Sequence, residues 1–176
     1  SQTFLKSSLL IAGTAEQAAD KMVPFLDNIS KHEIEEYLLS SAKRAKLVEV
    51  IPLERFLKSL YSKGLKIGLM TNDFEAVAHS HLKAAGIHKY FDFIAGFDSG
   101  FGIKPDPKPL MAFAEQFSLL PHRVAMVGDS THDLLAAEKA GMYKIGVLTG
   151  LASYSDLVPY SDVVYDNISN IEGLLN

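Results

Sequence analysis

From Leu65 onward the chain alternates short apolar runs with helix-length segments, and this rhythm restricts the possible folds more than any other feature. The runs "LKIGLMT", "FDFIAGF", "RVAMVGD" and "YKIGVLT" have strand length and are rich in Ile, Val, Leu and Phe. Between them the pattern predicts a helix from about Phe74 to Ala85 closed by Gly86, a helix from Pro107 with Asp106 as N-cap, and a helix ending at Gly141. "DVVYD" reads as a last strand and "ISNIEGLL" as a closing helix. Strands joined through helices pair in parallel, so the expected class is α/β, a Rossmann-like parallel sheet with helices on both faces.

No strand is evident before Leu65. Ala15, Ala18, Ala19, Met22, Val23 and Leu26 fall at helical spacing between Thr14 and Leu26, with Pro24 expected to end or kink the helix. Ser30 and Glu33 form a capping box before a second helix whose buried stripe is Ile34, Tyr37, Leu38 and Ala45. The composition shifts near Val50 to Pro52, which divides the chain into an all-helical part, 1–48, and an α/β part, 49–176.

Composition narrows the partners. The net charge is -4 and Lys and Arg are scattered, so no basic stripe is available for nucleic acid. The chain has no cysteine, which removes disulfides and thiolate chemistry and suits a cytoplasmic protein. No apolar run reaches the length of a membrane span, and "SQTFLKSSLLIAGTA" lacks the positive cluster of a signal peptide. A small soluble partner fits best, taken up by a monomer or a homodimer.

In an open parallel sheet, ligands bind beyond the carboxyl ends of the strands. Thr71 and Asn72 finish "IGLMTN", where a hydroxyl and helix N-terminal amides can receive an anion; the same residues also suit a helix cap. Lys104 stands in "GFGIKPDPKPL", a loop stiffened by Gly100, Gly102, Pro105, Pro107 and Pro109, either as a fixed point charge or as a surface lysine on a turn. Asp129 ends a strand after Gly128, and Asp133 lies about one helical turn further on. Two carboxylates so close repel unless a cation or a proton lies between them, and Mg²⁺, which takes one or two carboxylates, fits; the alternative is a first turn matched to its helix dipole. His79 and His81, two apart on a helix, face different ways and make a poor metal pair. Together the strand-end groups point to phosphoryl chemistry.

The order and form of these motifs resemble the haloacid dehalogenase superfamily, in particular its phosphatases with a small helical cap. The resemblance implies that Thr71 binds the phosphoryl group, that Lys104 of "KPDP" stabilises the phosphorylated nucleophile, and that in "GDSTHD" Asp129 ligates Mg²⁺ with Asp133 as its supporting acid. Thr71 and Lys104 are then the catalytic residues, with Thr71, Asn72 and Lys104 facing the phosphate. Residues 1–48 become a cap segment and 49–176 the core, and the substrate becomes a small phosphorylated metabolite. Phe4, Leu5, Lys6 and Lys43 become candidates for selecting it.

The front of the chain departs from the family. Its first motif, a strand followed by Asp-x-Asp-x-Thr, supplies the nucleophile and the acid/base. The nearest string, "LLIAGT", has Leu10 and Ala12 at those places, and neither can attack phosphorus or carry a proton. Gly13 and Thr14 are better explained as opening a helix. In the family that first strand is central, between the strands ending at Thr71 and Asp129, and without it both would keep unpaired inner edges. The expectation is therefore a Mg²⁺-dependent phosphomonoesterase whose nucleophilic aspartate lies upstream of this chain, so that the chain alone is inactive. A silent phosphate- or metal-binding protein, with "SSLLIAG" in the central place, and a phosphosugar mutase are the competing readings.

Overall fold

The computed structural model describes residues 13–45 and 48–175. Two helices come first. Helix α1 (Ala15–Met22) starts at Thr14, whose hydroxyl accepts from Gln17 N–H while the Gln17 side chain accepts from Thr14 N–H. Its α-helical hydrogen bonding stops at Met22, and Pro24 sits in a 3-10 turn over Val23–Phe25, as the ring requires. Helix α2 (Lys31–Arg44) begins at the predicted Ser30–Glu33 capping box. Ala18, Ala19 and Ile34 are buried where the two pack, but of the expected stripe Tyr37 is exposed and Ala45 lies exposed beyond the helix end, which leaves Ile34 with half-buried Leu38.

Helix α3 (Leu53–Ser62) was not foreseen. Leu53, Phe56, Leu57 and Leu60 fall at the i, i+3, i+4, i+7 spacing that would have found it, but its N-cap is Pro52, which offers no capping side chain. Strand β1 (Gly68–Met70), helix α4 (Glu75–Ala84) and strand β2 (Phe93–Ala95) follow as expected, with Gly86 at φ 71° closing α4. Helix α5 (Lys108–Gln116) starts one residue later than the sequence suggests. Its N-cap is Pro107, and Asp106 instead accepts from the Lys108 amide at 2.9 Å. Strand β3 (Ala125–Gly128), helix α6 (Thr131–Ala140), strand β4 (Tyr143–Val147), a short helix α7 (Tyr154–Leu157) and strand β5 (Val163–Tyr165) complete the core. The closing segment Ile168–Leu175 is a 3-10 helix, not an α-helix.

All strand pairs are parallel. Gly68, Leu69 and Met70 pair with Phe93, Ile94 and Ala95, whereas β4 pairs with β3 on one side and β5 on the other. Successive side chains leave opposite faces of a strand. Ile67, Leu69 and Ile94 accordingly meet Phe56, Leu57 and Leu82 of α3 and α4, while Met70, Phe93 and Ala95 meet Phe113 of α5. Helices thus cover both faces, as an α/β fold of Rossmann-like type demands. A Cβ at Gly68 would stand 2.8 Å from the Phe113 ring, so glycine there is what lets α5 lie close.

Among the described residues the strands form two ladders, β1-β2 and β3-β4-β5, with no backbone pairing between β1 and β3. Burial follows this division. Ile145, Gly146 and Val147 of β4 are buried, but Ala125 of β3 is exposed and Met126, Val127 and all of β1 are half-buried. The inner edges of β1 and β3 are the two that the family resemblance sets beside a central strand. Most of "SSLLIAG", including Leu10 and Ala12, lies outside the described residues.

Candidate active site

Five side chains singled out in the sequence, Thr71, Asn72, Lys104, Asp129 and Asp133, line one cavity of about 780 Å³ at the carboxyl ends of β1 and β3. Thr71 leaves β1 with its N–H still bonded to Ala95 C=O, and its hydroxyl oxygen accepts from Asp73 N–H at 3.0 Å. An oxygen that accepts through a lone pair keeps its proton to donate, which suits an anion in the cavity.

Lys104 reaches in from the loop between β2 and α5. Its Nζ donates to Met70 C=O at 2.7 Å and to Asp133 Oδ1 at 2.6 Å. Only 12% of the lysine side chain and 7% of the Asp133 side chain are exposed, so each charge depends on the other. The Asn72 carboxamide pairs with both the N–H and the C=O of Lys104, at 2.9 and 3.0 Å.

Asp133 has both oxygens engaged: Oδ1 by Lys104, and Oδ2 by the N–H and hydroxyl of Ser130 at 3.2 and 2.8 Å. The second pair is the capping box of α6. A Cβ at Gly128 would collide with Asp133, so glycine is required for the acid to fold back over the strand end. Asp129 differs. Burial pushes its carboxyl above the usual carboxylate range, Asp133 beside it pushes further, and its own amide and Lys104 pull less strongly the other way. A Cβ at Gly150 would likewise collide with Asp129, so the loop after β4 passes directly over this carboxylate.

Several lining residues were not anticipated. Asp73 and Asp156 add carboxylates, although Asp156 also caps α7 through Ser153. Leu151 brings an exposed apolar side chain to the rim, and Thr14, Ala18, Leu38 and Ala42 of α1 and α2 form the far wall. None of these carries a motif; only the meeting of separate segments reveals them. His132 also lines the cavity. Lys43 does not; it borders a shallow depression with Tyr37, and Phe4, Leu5 and Lys6 lie outside the described residues. The two helical histidines do part: His79 meets His88, Nδ1 to Nε2 at 2.8 Å, while His81 Nε2 donates to Ala42 C=O at 2.9 Å and fastens α2 to α4. Among the described residues no three His, Asp or Glu side chains are grouped as a metal cage.

Comparison with known proteins bears on the fold and the family. A phosphoglycolate phosphatase of Escherichia coli (strain K12) is 36% identical over 117 residues, which are 65% of this chain and 46% of that protein. The chain therefore matches about half the length of that relative. A structure described as a predicted phosphoglycolate phosphatase from Haemophilus somnus 129PT superposes with a TM-score of 0.76 at 22% identity, over 92% of this chain and 76% of the other. A haloacid dehalogenase-like family hydrolase from Streptococcus pneumoniae gives 0.71 at 20% identity, over 92% and 81%. The sequence model of the haloacid dehalogenase-like hydrolases matches residues 7–147, and the chain belongs to that family.

Proposed function

We propose that this chain carries the phosphoryl- and Mg²⁺-binding half of a phosphatase acting on a small phosphomonoester, with residues 1–48 serving as cap and 49–176 as core. The observation that carries the reading is the convergence of a lysine ammonium, a threonine hydroxyl and a perturbed aspartate on one cavity at the strand ends. Thr71 and Lys104 donate to phosphoryl oxygens and offset the charge that gathers there as the ester bond breaks. Asp133 holds Lys104 in place and orients the start of α6.

The donors suit Mg²⁺: hard oxygens, no thiol in the chain, and a carboxyl whose ionisation is opposed until a cation arrives. Asp129 would be its ligand, with Asp133 supporting from behind, since both Asp133 oxygens are already hydrogen-bonded. When bound, Mg²⁺ supplies charge neutralisation at the phosphoryl group.

The attacking carboxylate is assigned to an aspartate outside residues 1–176; its attack on phosphorus breaks the ester P–O bond and releases the alcohol, and water then hydrolyses the aspartyl-phosphate to orthophosphate and free carboxylate. Leu10 and Ala12 cannot substitute for it. The 176-residue chain should thus bind Mg²⁺ and inorganic phosphate without turnover, and gain turnover in a product extended by an aspartate-bearing strand. Assays with p-nitrophenyl phosphate check both halves. Hydrolysis by the 176-residue chain itself would overturn the assignment of the nucleophile. Binding without turnover from every natural product would favour the silent protein, which the residues at positions 10 and 12 support. Phosphate returned to a sugar in a substrate panel would indicate a mutase.

A further inference from the structure

We propose that Asn72 is a positioning residue, which acts on the phosphoryl site by fixing the root of Lys104 and does not itself bind the anion. The functional meaning rests on the reading of Lys104 as the phosphoryl-facing cation. The positioning itself rests on geometry alone.

A carboxamide has the donor and acceptor pattern of a peptide group, and Asn72 uses it that way. Its Nδ2 donates to Lys104 C=O at 3.0 Å and its Oδ1 accepts from Lys104 N–H at 2.9 Å, closing a ring across 32 residues of sequence. The lysine stands in a loop outside any helix or strand, beside Gly102 at φ 98°. The prolines stiffen the loop beyond the lysine, but its place against β1 has to be set by cross-segment bonds, and a lysine side chain carries about 2 kcal/mol of rotamer entropy. Asn72 fixes the backbone end while Met70 C=O and Asp133 fix the ammonium end. The end of β1 and the turn that follows it therefore hold Lys104 at tip and root. Both polar ends of the carboxamide are thus engaged by the backbone of the loop.

Two measurements on the 176-residue chain test this. In the first, acetic anhydride labels the folded protein and mass spectrometry follows each lysine, with exposed Lys58 as internal reference. Asn72→Ala should speed labelling of Lys104 about fivefold or more relative to Lys58, because the loop is released. Asn72→Asp, which is isosteric and keeps the acceptor but loses the donor, should give a smaller rise and covers the case in which the alanine variant does not fold. Unchanged Lys104 labelling in a folded variant overturns the proposal. In the second, inorganic phosphate is titrated in the presence of Mg²⁺ into wild type, Asn72→Ala, Lys104→Met and the double variant. Asn72→Ala should weaken binding about tenfold alone and add almost nothing once Lys104 is gone. Additive losses would make Asn72 a direct ligand and overturn the proposal. If wild type binds no phosphate, the phosphatase reading fails, and labelling still decides the positioning.

Discussion

At the scale of single residues the site holds charges under opposed constraints. Asp129 is easier to protonate in the fold than in the unfolded chain, so its contribution to stability is greatest below the ordinary carboxylate value and is lost as pH rises through its raised folded pKa. Asp129→Asn should accordingly raise the Tm of the metal-free protein at pH 7, by a small amount because the carboxylate is partly solvated and its repulsion screened. The gap should close as pH falls towards 4, and Mg²⁺ should raise Tm only in the wild type. Thermal melts in EDTA and in Mg²⁺ across that range check both. Lys104→Met has the opposite sign, since it leaves Asp133 buried without its counter-ion; a loss on the order of 3 kcal/mol is expected in urea unfolding, together with loss of phosphate binding.

At the scale of elements the first two helices depend on local chemistry. Ser30 receives the Glu33 amide and Glu33 receives that of Ser30, a pair that lies exposed and away from the cavity. Ser30→Ala should cost about 1 kcal/mol in chemical unfolding and leave phosphate affinity unchanged. Such local features were legible in the sequence because their partners stand close along the chain: the capping box of α2, the start of α1 at Thr14, the stop at Pro24, and the glycines closing α4 and α6. The strands were legible from their apolar runs, and the cavity-lining places of Thr71, Asn72 and Asp129 from their positions after those runs. What joins them was not. The Asn72 pairing with Lys104 and the capture of Lys104 by Asp133 span 32 and 29 residues, and periodicity carries no information over such a span. Helix α3 had the signal but no capping side chain to mark its start, and the last segment adopted 3-10 geometry that apolar spacing cannot separate from α.

At the scale of the whole molecule the described strands fall into two ladders, with α5 packed against both β1 and α6. Met70 at the end of β1 packs with Leu110 and Ala114 of α5 and Ala136 and Ala137 of α6, so α5 bridges the halves. Hydrogen exchange should therefore resolve two protected groups, the β1-β2 amides opening at lower free energy than those of the better-buried β4. Identical exchange midpoints in both groups would show instead that α5 makes them one cooperative unit.

Lys104 adds a polar fastening across this division, with its ammonium bonded to Met70 at the end of β1 and to Asp133 just beyond β3. The bolt between the two plates is thus also the cation proposed to greet the ligand. Linkage between binding and stiffness is reciprocal. An anion that leaves the bolt in place clamps the plates and is bound more tightly for it, while one that draws the ammonium aside loosens the molecule it has entered.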